Sequence, residues 1–174
     1  MEDRNLVTEE QQMQEQPVAQ DKYCGYPMKW YKWLIYFVLF VTALSCLGNA
    51  GMYLTGDMYS QAGGSAQMVY SRFPAMQTVD ILMGVLCVAQ LVVALMARWK
   101  LAGLKADGPK YLYAVYVFTL IENVIYAAGS AMALAEPITA VIDVGSFIGT
   151  LLGAGLMLWL NKIYFTKRKT LFVN

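Results

Sequence analysis

Long apolar stretches alternate with short polar segments along this chain. The stretches cover about residues 33–55, 79–98, 111–135 and 138–160. Each is close to the roughly 20 residues that a helix needs to cross the hydrocarbon core of a bilayer. The pattern predicts an all-α polytopic membrane protein, an antiparallel four-helix transmembrane bundle within residues 29–165.

The connections between the predicted spans differ in length. Residues 57–78 form a long outer loop rich in Gly, Ser and Tyr, in which residues 65–73 could form a short helix. The other two connections are short, and Pro137 suits the first turn of the fourth helix. We therefore expect successive spans to be antiparallel neighbours.

Polar segments flank the spans at both ends of the chain. Residues 1–28 have too few apolar side chains to offset the entropy of ordering, so they predict a disordered tail, and no apolar signal segment is visible in them. Residues 166–174 form a short basic tail.

Composition and charge agree with this topology. Hydrophobic residues make up 58% of the 174 residues and charged residues 14%, against about a quarter charged in soluble domains. Of the 13 Lys and Arg residues, all except Arg72 fall in segments that a four-span topology places on one side. Because positive charge marks the cytoplasmic side, we expect both termini in the cytoplasm. The segregated charge informs on orientation and gives no reason to expect a nucleic-acid partner.

The residue types argue against several classes of site. The chain has no His and no CxxC pair among its three cysteines, and no nucleophile and base stand in a recognisable pattern. We therefore expect no enzyme, no metal and no cofactor. Cys46 and Cys87 both lie about 10 Å below the outer surface, so they could be neighbours, as ordinary packing residues or as a disulfide or metal pair.

Polar side chains inside or beside the spans form the candidate ligand or proton site. They are Glu122, Asn123, Tyr126, Asp143, Asp80, Asn49, Gln90 and Arg72. At 1.5 Å per residue, Glu122 and Gln90 lie near mid-membrane. Asn49 and Asp143 lie roughly 8 to 10 Å below the outer surface. Asp80 is closest to that surface and is expected as a helix N-terminal acid.

Glu122 organises the candidate site. An ionised carboxylate facing lipid costs at least about 2.5 to 3.5 kcal/mol at the centre of a span, so Glu122 should face protein or water. Tyr126 lies on the same helix face as Glu122, and the next span contains Asp143. This predicts an outward-open proton or cation site; the alternative is a neutral, hydrogen-bonded group that holds the helices in register. We also expect Arg72 to approach Asp80 or Asp143.

The fourth span carries a doubled GxxxG pattern. Gly145, Gly149 and Gly153 lie along one face and allow close helix approach. We expect this glycine zipper to pack within the molecule against the small residues 127–131, and a homodimer seam is the alternative.

A weak internal repeat relates the two halves. Residues 32–34 resemble residues 110–112, and residues 79–81 resemble residues 142–144. Such a repeat would make the protein two parallel-repeated helical hairpins.

Two segments carry a resemblance to a known group. The aromatic and basic C-terminal run NKIYF, KRK and LFVN, together with WYKWLIYF at residues 30–37, resembles uncharacterised small four-span membrane proteins of Gram-positive bacteria. The resemblance implies a plasma-membrane protein and assigns no activity and no site residue.

Two function classes remain. The first is a protein that binds or moves a proton or small cationic solute through the polar cluster around Glu122. The second is a non-catalytic membrane interaction or scaffold protein that uses its outer loop and cytoplasmic tails. The expected partners are the lipid bilayer, further copies of the chain and another membrane protein.

Overall fold

The computed structural model describes residues 28–61, 63–141 and 143–172, and its regular structure is helical throughout. Four helices in these ranges are long and apolar enough to cross a membrane: Lys29–Thr55, Pro74–Ala102, Gly108–Leu134 and Val144–Thr166. We call them the first to fourth spans. The all-α class and the four-span organisation are confirmed, and the chain is a multi-pass membrane protein. The predicted disordered tail lies outside the described residues except for Met28.

The observed spans begin and end at other residues than expected. The second span begins at Pro74 rather than at residue 79, because Pro74 itself occupies the first turn. The fourth span begins only at Val144, because Ile138–Val141 forms a separate short helix. Within the first span, Leu34–Val38 is π-helical.

Residues 56–73 form a folded segment that we call the loop cap. It contains the short helices Asp57–Gln61 and Ala66–Arg72, and the second of these confirms the expected helix. Ser65 caps that helix by accepting a hydrogen bond from the Met68 backbone N–H at 3.2 Å. The loop cap therefore covers one end of the bundle, which we call the loop end.

The opposite end of the bundle, the tail end, holds most of the apolar core. Leu34, Leu101 and Leu112 from the first three spans are fully buried there. The fourth span adds Phe165, whose ring lies 5.3 Å from that of Phe172. Leu171 and Phe172 of the predicted basic tail are thus packed into the core, whereas Lys167 and Lys169 are exposed.

The second span is central to the packing. It packs extensively against the first and third spans. The fourth span packs mainly against the third, over a smaller contact than either of those two. At the tail end Trp30 of the first span also reaches the buried Asn161 of the fourth, with Nε1 3.4 Å from Oδ1. The bundle is consequently closed at the tail end, while the loop-end half of the fourth span is exposed.

The glycine zipper does not pack within the described part of the molecule, so that prediction was wrong. Gly145, Gly149 and Gly153 are exposed, and a Cβ added to either of the last two would meet no described atom within 4 Å. The expected groove is already occupied, because Gly129 of the third span packs against Val79 of the second, whose methyl groups lie 3.2 Å from an ideal Cβ.

Candidate functional site

A cavity of about 380 Å³ lies among the first three spans. Its wall combines polar side chains with apolar ones and with two tyrosines. The lining residues are Val41, Thr42, Ser45, Cys46, Asn49, Tyr53, Met83, Cys87, Gln90, Thr119, Glu122, Asn123 and Tyr126. The cavity therefore brings together five of the eight predicted site residues: Glu122, Asn123, Tyr126, Asn49 and Gln90.

Glu122 is the acidic residue of this wall. Its side chain is 8% exposed, and within the described part of the chain its buried Oε1 has no hydrogen-bond partner. None of the described lining residues is basic. The carboxyl group therefore borders the cavity without a counter-charge, an arrangement that costs free energy unless the group is protonated or pairs with a cation.

Gln90 closes the cavity towards the tail end. Its amide N–H₂ donates to Thr119 Oγ1 at 2.8 Å and to the Val115 carbonyl at 3.2 Å. Its carbonyl accepts a hydrogen bond from the Cys46 thiol at 3.1 Å. Beyond Gln90 the second span continues into the apolar core with Ala94. The cavity thus ends at a hydrogen-bonded polar network that lies next to the apolar core.

The cavity opens at the side of the bundle. Met83, Cys87 and Gln90 of the second span are buried at its floor, whereas Ser45 and Asn49 on the first span are exposed. The described lining contains no residue of the fourth span. The opening therefore lies between the first and third spans, within the length of these helices rather than at their ends.

Asp80 forms a second buried carboxyl group, under the loop cap. It is 0% exposed, and its Oδ2 accepts hydrogen bonds from the hydroxyls of Tyr59 at 2.7 Å and Tyr70 at 2.9 Å. Its Oδ1 has no partner in the described part of the chain. Because the helix begins at Pro74, Asp80 is not in its first turn, and the predicted helix-terminal role was wrong.

The two tyrosines that hold Asp80 were not predicted. The sequence shows an outer loop rich in Tyr, but it does not show which residue the tyrosine side chains contact. Burial raises the pKa of Tyr70 to about 12, and the hydrogen bond to Asp80 acts in the same direction. The pKa of Tyr59 is raised by the same two causes. Both phenols therefore remain neutral donors near neutral pH.

Arg72 and Asp143 lie outside the cavity, and the expected ion pair was wrong. Arg72 is exposed, with its guanidinium 5.5 Å from the Phe73 ring centre. Among the residues that the structure describes, the ion pair present is Lys100 with Asp107. Asp80 is inaccessible because the tyrosines cover it.

Asp143 serves as the cap of the fourth span. Its carboxylate accepts hydrogen bonds from the Ser146 hydroxyl and from the Ser146 backbone N–H at 3.0 Å. These two bonds hold the pKa of Asp143 below its usual value. Its side chain is exposed and does not join Glu122, contrary to the prediction.

Cys46 and Cys87 both lie in the wall of the Glu122 cavity. Both are buried free thiols that line its wall. In the described residues no group of three or more His, Cys, Asp or Glu side chains could hold a metal ion.

Comparison of the chain with protein-family models, with curated proteins and with solved structures finds no match. A function for the protein is therefore inferred from the cavity, its charge and its surroundings.

Proposed function

We propose that this protein binds, or moves, a proton or a small cationic solute at Glu122. The observation that carries the proposal is the buried Glu122 carboxyl group, whose unpartnered Oε1 borders a cavity with no basic residue in its described wall. A membrane-embedded carboxyl group in this state gains most from a proton or a cation. Glu122 would hold the charge, and Asn123, Tyr126 and Asn49 would supply polar contacts.

The orientation of the protein follows from its charges. Among the Lys and Arg residues that the structure describes, all except Arg72 lie at the tail end, so the positive-inside rule favours a plasma-membrane protein with both termini in the cytoplasm. The loop end then faces outward. Since Gln90 and the apolar core close the tail-end side, the cavity would exchange solute with the outer leaflet or the outside.

The test compares Glu122→Gln with Glu136→Gln. Glu136 is an exposed acid in the turn after the third span, so it controls for the loss of one negative charge. Purified full-length protein is reconstituted in liposomes, and proton and cation uptake are recorded with pH- and cation-sensitive dyes. We expect E136Q to behave like wild type and E122Q to lose uptake by roughly a hundredfold or more, because the neutral amide cannot hold the charge.

Thermal unfolding of the same variants in detergent shows whether they fold and whether protons or cations stabilise them. A well-folded E122Q protein whose uptake and cation-dependent stabilisation equal those of wild type would rule out the proposal.

A second candidate function is that of a non-catalytic membrane interaction protein. The observation that favours it is the exposed pair Gly149 and Gly153 of the glycine zipper, where an ideal Cβ would meet no described atom within 4 Å. Small residues let helices approach closely in lipid, where packing is a main source of association. The occupant would be a second copy of this chain or another membrane protein.

A further inference from the structure

We propose that the solute of the Glu122 cavity is a small amphipathic organic monocation, such as an alkylated ammonium, that enters from the lipid side. This inference rests on the proposed function and narrows its solute class.

Two tyrosine rings line the same cavity as Glu122. Tyr53 of the first span and Tyr126 of the third both line the cavity, and their ring centres are 5.7 Å apart. Tyr126 lies one helical turn from Glu122 on the same face. An alkylated ammonium is attracted both by a carboxylate and by the faces of aromatic rings. The wall thus offers the two kinds of contact that this class of cation uses.

The charge of the same wall suits a monovalent cation. Glu122 is the one carboxyl group in the described lining, and none of the described lining residues is basic. A single carboxylate balances one positive charge, so the wall favours a monocation over a divalent ion.

The volume agrees with an organic solute. A water molecule occupies about 30 Å³ of liquid, and small-molecule sites begin at about 300 Å³. The cavity of about 380 Å³ is therefore far larger than a proton or a bare ion requires. Met83, Val41 and Cys87 give it apolar walls that alkyl groups can contact.

The opening lies where amphipathic cations collect. Asn49 is exposed at the opening and stands six residues before Thr55, the last residue of the first span, which places it about 9 Å below the loop end. Amphipathic groups insert to about 5 to 10 Å at the boundary between headgroups and acyl chains, whereas a hydrated inorganic ion does not enter the bilayer there.

The experiment uses wild-type protein in lipid nanodiscs and three probes at equal ionic strength. The probes are benzyltrimethylammonium chloride, the neutral isostere neopentylbenzene and sodium chloride. Binding is measured by calorimetric titration and by the shift in unfolding temperature. We expect binding of the ammonium alone, and this comparison needs no variant that could fail to fold.

Variants then assign the contacts. Replacing one ring, as in Tyr53→Leu or Tyr126→Leu, should weaken ammonium binding roughly three- to thirtyfold. Tyr53→Phe and Tyr126→Phe keep the rings and should stay within about threefold of wild type. Glu122→Gln should abolish binding.

The outcomes separate the two proposals. Equal binding of the neutral isostere, or ring-removing variants that bind like wild type, would overturn the inference. Glu122-dependent uptake of protons or sodium with no ammonium binding would overturn the inference and leave the proposed function standing. If neither the binding of any probe nor proton uptake depends on Glu122, both proposals fail.

Discussion

Two buried carboxyl groups in this protein meet the cost of desolvation in different ways. Asp80 is enclosed, and two phenols donate to one of its oxygens. Glu122 is almost as well buried, but its unpartnered oxygen borders a cavity. A buried polar group without a partner costs roughly 1 to 3 kcal/mol, more when it is charged. This difference is the basis on which we propose a structural role for Asp80 and a binding role for Glu122.

The first prediction at this scale concerns the pH dependence of Tyr70. Its folded-state pKa is about 12, above the ordinary tyrosine value of about 10, so the neutral phenol favours the folded loop cap. This contribution is complete below about pH 10 and is lost as the pH rises towards about 12. We expect the absorbance titration of tyrosinate to lose its step near pH 12 in Tyr70→Phe.

Ser71→Ala, a neighbouring exposed position in the same short helix, serves as the control and should keep that step. A Y70F titration curve that equals wild type except for one ordinary tyrosine near pH 10 would contradict the prediction.

At the scale of the elements, helix ends decide which side chains meet. The first span stops at Gly56, whose φ of +74° is left-handed, and an ideal Cβ there would lie 2.4 Å from the Cβ of Ala66. This close approach lies within the loop cap: it packs the helix Ala66–Arg72, which carries Tyr70, against the residue at which the first span ends. At the other turn, the late start of the fourth span makes Asp143 a cap rather than a partner of Glu122.

Substitution of Gly56 tests the first of these helix ends. Gly56→Ala should destabilise the protein by roughly 1 kcal/mol or more, because alanine is strained at positive φ and meets Ala66. Gly51→Ala is the matched control: it lies inside the same helix with nothing within 4 Å, and it should be neutral or stabilising by roughly 0.5 to 1 kcal/mol.

Unfolding midpoints in mixed micelles measure both variants. Equal midpoints for Gly56→Ala and Gly51→Ala would mean that the approach of Gly56 to Ala66 does not stabilise the loop cap.

For the whole molecule, packing is uneven between the two ends. Aromatic contacts of Phe165 with Tyr31 and Tyr113 join the fourth span to the others at the tail end. In the loop-end half of the fourth span, no described atom lies within 4 Å of an ideal Cβ at Gly149 or Gly153. This uneven packing leaves the Glu122 cavity open at its side. It also leaves a surface on the fourth span that another helix could contact.

Self-association through that surface is tested with Gly149→Ile. An isoleucine on the glycine face should raise the dissociation constant of the dimer about tenfold or more, equal to about 1.4 kcal/mol, because it keeps a second helix away. Gly155→Ile is the control, since Gly155 is an exposed glycine on another face of the same helix. Energy transfer between labelled copies at several lipid dilutions measures the effect. Monomeric wild-type protein, or an equal effect of both variants, would contradict it.

The sequence alone determined the helical class, the number of spans and the residues that could not face lipid. These are local properties, because length and apolarity decide whether a helix can cross a bilayer. The shared face of Glu122 and Tyr126 was also visible, since helical spacing places them one turn apart. Both residues do line the cavity.

Only the tertiary structure decided which faces meet. It places Val79 against Gly129, two tyrosines on Asp80, and Arg72 and Asp143 away from the cavity. Each of these contacts depends on the residue at which a helix starts and on the distance between neighbouring spans. The pattern of apolar residues along one helix determines neither the start nor the distance. In lipid, moreover, an uncovered apolar face costs little, so apolarity alone could not predict that the fourth span leaves its glycines exposed.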